Sequence, residues 1–130
     1  MTLRTVATLS AITSLVFGFV GLLAPQVFAT ALGVQFDATA TVGVRLASAS
    51  YLCFGLLDLL ARDVTDAVAW RAIGTANAAG WALGAVVAAT AIASGLGEAR
   101  AWALVAMQVG FAAAWSLALV RSHATTLRMA

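Results

Sequence analysis

Four long apolar stretches joined by short polar connections dominate this chain, and they leave it very few ways to satisfy its backbone and side chains. They run Thr5–Ala24, Val42–Leu60, Val68–Ala93 and Ala101–Val120. Each is close to or above the ~20 residues that cross a ~30 Å hydrocarbon core at a rise of ~1.5 Å per residue. None carries the polar stripe that a water-facing helix requires. Residues 1–130 are therefore expected to form one domain, an all-α integral membrane protein built as an antiparallel four-helix bundle. The connections Gly33–Thr41, Ala61–Ala67 and Ser94–Arg100 are short, which forces successive helices to run antiparallel.

Pro25 ends the first stretch, because a proline disfavours helix at the residue before it. Arg4, the apolar run and Ala29-Thr30-Ala31 also share the layout of a cleavable signal peptide. The run is long for one, so its retention as a helix is expected.

Charge supports the same solvent. Only 9% of residues are charged and 63% are hydrophobic, whereas soluble domains carry about a quarter charged residues. A pI near 9.5 is no sign of a nucleic-acid partner here. The seven basic residues are scattered arginines that flank the apolar stretches, as membrane-end anchors do. Arg4, Arg62, Arg71, Arg121 and Arg128 fall on the side of the N-terminus, with Arg45 and Arg100 opposite. That bias places both termini in the cytoplasm and the chain in the inner (plasma) membrane.

Absences exclude whole classes of chemistry. There is no lysine for a Schiff base, one cysteine (Cys53) and one histidine (His123). An intrachain disulfide, a thiolate metal cage and a bis-histidine haem are thereby ruled out. No resident cofactor or metal is expected, and no nucleophile–base pair is visible. The stretch Gly95–Arg100 (GLGEAR) is a turn, since it lacks the lysine and spacing of a phosphate loop.

Polar residues at depth are the candidate site. By helical rise, Tyr51, Asn77 and Gln108 fall close to one level, with Thr13 and Ser14 nearby. Amides and phenols in hydrocarbon need partners, so they are expected to face inward and meet. Such a meeting serves either as interhelical glue or as the polar spot of a ligand pocket, whose walls would be Trp81 and Trp115. Trp70 and Trp102, near stretch ends, read as interface anchors. Tyr51, Gly55, Asp58 and Arg62 share one helical face, so Asp58 and Arg62 are expected to form an i,i+4 ion pair. Arg45 is placed to reach a lipid phosphate. Small residues at four-residue spacing mark every stretch: Ser10/Ser14/Gly18, Gly43/Ala47, Ala76/Gly80/Gly84/Ala88 and Ala106/Gly110/Ala114/Ala118. They allow helices to approach closely, within the chain or between copies.

Several short motifs are similar to those of small four-helix bacterial membrane proteins of the DoxX-like kind. They are LLAP (Leu22–Pro25), ALGV (Ala31–Val34), Arg45 ahead of LASASYLCFGLLDLLAR, Asn77, and Ser94-Gly95 before Trp102. Some DoxX-like proteins are associated with quinone-linked oxidation of sulfur compounds, as subunits beside a soluble partner. The resemblance implies that Arg45 and Asn77 matter. The leading expectation is a non-enzymatic accessory or structural subunit, homo-oligomeric or bound to another membrane subunit and surrounded by lipid. The alternative is a binder of an apolar ligand, lipid or quinone, or a small transporter, using Tyr51, Asn77, Trp81, Gln108 and Trp115.

Overall fold

The computed structural model describes residues 2–127, and side chains as far as Ser122. Arg128 and the His123 side chain lie outside the described residues. The chain folds as α1 (Leu3–Leu23), α2 (Pro25–Leu32), α3 (Ala38–Ala61), α4 (Ala67–Ala93) and α5 (Trp102–Leu127), with a 3-10 turn at Ala99–Ala101. Among the described residues all regular structure is helical, and α1, α3, α4 and α5 are long and apolar enough to cross a membrane. Large side chains such as Leu23, Leu60 and Val87 are 68–75% exposed. A surface of that kind requires hydrocarbon around it, so the molecule is a multi-pass membrane bundle.

Helix starts follow side-chain caps. Thr2, Asp37 and Asp66 each accept the backbone N–H three residues on, from Thr5, Ala40 and Ala69. The Asp37 cap begins α3 earlier than its apolar run does.

Helix α2 departs from the expected layout. Pro25 breaks α1 and is also the first residue of this further eight-residue helix, where its missing N–H costs nothing. Gly33 ends α2 at φ 70°, a left-handed conformation that glycine alone adopts freely. A side chain at Gly33 would also strike the Glu98 carboxyl group, and the Glu98 amide donates to the Leu32 carbonyl at 3.1 Å. Gly33→Ala is expected to lower unfolding stability by about 1–2 kcal/mol through the backbone alone. Denaturant titration in micelles checks it.

Two tight hairpins make the bundle. Along α1 and α3, Leu52 packs on Gly18 and Leu15 on Gly55, in reciprocal fashion, while Ser48 meets Gly21. Along α4 and α5, Leu119 packs on Gly74 and Gln108 on Gly84, and Trp81 stacks on Phe111 at 4.7 Å. The hairpins join where Val6 and Ala7 of α1 meet Trp115 and Ala118 of α5. Helices α3 and α4, although consecutive, barely touch. The small-residue stripes divide accordingly. Ser10, Ser14 and Gly18 are buried, whereas a side chain at Gly43, Gly80 or Gly110 would meet open space.

Candidate functional site

The separation of α3 from α4 leaves a cleft of about 300 Å³ near mid-depth, open on one side. Tyr51, Phe54, Ala47 and Ser50 of α3 line one wall, Asn77, Gly80 and Trp81 of α4 the other, and Ser14 of α1 the back. No charged side chain lines it.

Most of the polar groups at this depth are held by named partners. Asn77 is 3% exposed; its Nδ2 donates to Asp58 Oδ1 at 2.7 Å and to the Ile73 carbonyl at 3.1 Å. Both amide protons are thereby used, which leaves the amide oxygen as the side chain's acceptor. The Trp81 indole N–H donates to Ser10 Oγ at 3.2 Å, and the Ser10 hydroxyl lies beside the Asp58 carboxyl. Tyr51 and Gln108 meet across the bundle, Gln108 Nε2 donating to the phenolic oxygen at 3.3 Å. Three buried atoms have no hydrogen-bond partner among the described residues: Asp58 Oδ2, Gln108 Oε1 and Trp115 Nε1.

Several expected placements change. Asp58 and Arg62 form no ion pair: Asp58 is 0% exposed and takes the Asn77 amide instead. Arg62, at the end of α3, points its Nε at Asp63, 3.5 Å away. A guanidinium at a helix end can stay in water, while an amide supplies donors at depth without carrying a charge into hydrocarbon. Trp115 does not wall the cleft either. It is fully buried, with Val6, Ala7 and Ala118 around it and Trp70 at 6.3 Å. Trp70 is therefore a clamp for the α3–α4 connection, its Nε1 donating to the Val64 carbonyl at 2.7 Å. The expected meeting of Tyr51, Asn77 and Gln108 resolves into two pairs, Tyr51–Gln108 and Asn77–Asp58. Gln108 supports the cleft from behind, against Gly84. Arg45 is exposed and forms no ion pair among the described residues.

The residues that sequence reasoning missed are Ser10, Ala47, Ser50, Phe54 and Gly80. Ser10 stands one turn from Ser14 and at the Asp58 level in the antiparallel register, a signal that matching the depth of Asp58 as well as that of Asn77 across to α1 would have caught. Ser10, Ala47 and Gly80 were visible only as packing residues.

No protein-family model, curated protein or solved structure matches this chain.

Proposed function

We propose that this membrane protein binds a neutral, weakly polar molecule with a long apolar body in the cleft between α3 and α4. The observation that carries the reading is the cleft itself: an uncharged space at mid-depth lined by Ser14, Ser50, Tyr51 and Asn77 among apolar side chains. A structural subunit would call for a filled midplane there. At about 300 Å³ the space is at the small end of ligand pockets. It suits one hydroxyl- or carbonyl-bearing group and the start of its chain.

Selection among occupants depends on hydrogen bonds, because lipid tails are as apolar as the cleft walls and supply no hydrophobic preference. An acyl chain brings no donor or acceptor. A long-chain alcohol or quinone-like carbonyl does, and it finds the Asn77 amide oxygen and the hydroxyls of Tyr51 and Ser14. Asn77, which the DoxX-like resemblance marks, would then touch the ligand. An anionic head is disfavoured, since no cation lines the space and the Asp58 carboxyl stands behind its floor. The arginine bias supports an orientation with both termini in the cytoplasm of a plasma-membrane protein, and Arg45 stays a candidate contact for a lipid phosphate on the far side.

The test is quenching of tryptophan fluorescence in nanodiscs by a bromine-labelled long-chain alcohol, against the matching bromoalkane. Quenching should show a saturable component with the alcohol, that component should disappear in Trp81→Phe, and it should favour the alcohol by about three- to twenty-fold, the worth of one or two interhelical-type hydrogen bonds. Gly80→Leu, which adds bulk where nothing lies within 4 Å, should abolish saturable quenching while leaving unfolding stability within about 0.5 kcal/mol. Equal, non-saturating quenching by alcohol and alkane would remove the proposal.

A further inference from the structure

We infer that the cleft continues into a second chamber beneath α2, and that the chain of the bound molecule threads past Tyr51 to fill it. This rests on the reading that the cleft holds a neutral, weakly polar molecule. The second chamber has a volume of about 400 Å³ and, like the cleft, is open on one side, with Phe28 and Leu32 of α2 above it and Leu104 and Met107 of α5 along one wall. Ala47 and Tyr51 line both spaces, so these two side chains are the partition.

The partition is thin. Ala47 contributes a methyl group. The Tyr51 ring rests between Phe17 and Trp81, 6.1 Å from each, and the Gln108 amide at 3.3 Å is its hydroxyl's partner. Swinging the phenol aside breaks that one long hydrogen bond, and the ring slides along aromatic faces that offer no fixed geometry.

Hydrocarbon is the occupant that suits the far chamber. Its polar lining amounts to Ser48, the Tyr51 phenol and Arg100; Tyr51 is taken by the Gln108 amide and Arg100 is paired with Glu98 at 3.0 Å. Water there would find too few partners, and an empty wall forfeits its dispersion contacts. The two chambers together set the class of molecule. Its polar group lies near mid-depth and its chain runs from there toward the α2 end of the bundle. A phospholipid adopts the reverse arrangement, with its charged head at the interface, and could enter head-first only by carrying that charge into hydrocarbon. A single-chain molecule with one small uncharged polar group faces no such cost.

The experiment uses the full chain in nanodiscs and a long-chain primary alcohol bearing a diazirine at the far end of its chain. Photolysis followed by peptide mapping should place label on Leu104, Met107 or Phe28, competed away by excess unlabelled alcohol. Tyr51→Trp, which thickens the partition, should cut that label several-fold and shift it toward Phe54. Competed label confined to Phe54 and the open side of α3 and α4 in the wild type would overturn the threading while leaving cleft binding intact. Absence of any competed label, together with absence of saturable Trp81 quenching, would overturn both. A phospholipid carrying the diazirine at its acyl terminus is the second probe. Chamber label from it that the alcohol fails to displace would assign the chamber to an ordinary lipid chain and overturn the inference.

Discussion

Gly18→Leu should unfold the bundle at a much lower denaturant concentration than the wild type requires, with a loss of about 3 kcal/mol, the upper end of what overpacking costs. A Cβ at Gly18 would stand 2.6 Å from Leu52 Cγ and 2.9 Å from the Leu52 backbone nitrogen. A side-chain clash alone could relax by a rotamer change. A clash with backbone forces α1 and α3 apart, and in lipid their close approach is most of what holds them together. Leu52→Ala in the Gly18→Leu background should recover part of the loss, since it removes the side-chain obstacle and leaves the backbone one. Gly80→Leu, facing open space, is the matched control. If the Gly18 and Gly80 variants unfolded together in an SDS titration, the interlocked α1–α3 seam would be the wrong account of this fold.

The second large effect concerns the floor of the cleft. Asn77→Leu removes the donor that holds Asp58 Oδ1 at 2.7 Å, inside a region from which Asp58 is fully excluded from solvent. Leaving such a group unsatisfied is expected to cost about 2 kcal/mol. Asp58→Leu/Asn77→Leu should lose far less than Asn77→Leu alone, because an apolar pair of similar shape needs no partners in hydrocarbon. The double-mutant cycle isolates the coupling. Additive losses would mean that the two side chains do not depend on one another. Both Asn77→Leu variants should also lose the preference for alcohol over alkane, a readout that a purely structural role of Asn77 would leave unchanged.

Much of the architecture could be read from residue order. The four spanning helices lie close to their apolar runs, and their alternation follows from short connections. Inward placement of Asn77 and Gln108 also follows, since neither amide can face lipid unpartnered. Helix α2 was legible too, in retrospect: Pro25 and Gly33 bracket eight residues in the order that starts and stops a helix. Reading Pro25 only as a terminator hid it. Asp58 shows where reading along one helix fails. Its nearest cation in sequence is Arg62, one turn away, but its partner comes from α4, nineteen residues on.

What residue order decided by itself was the surrounding solvent, the number of crossings and the depth of each polar group, because rise per residue converts position directly into depth. The tertiary structure alone decided which groups at a given depth meet. Glycine–leucine interlocks draw α3 onto α1, and the Trp81–Phe111 stack draws α4 onto α5. The gap left between α3 and α4 is a consequence of those distances, and no count along the chain contains it.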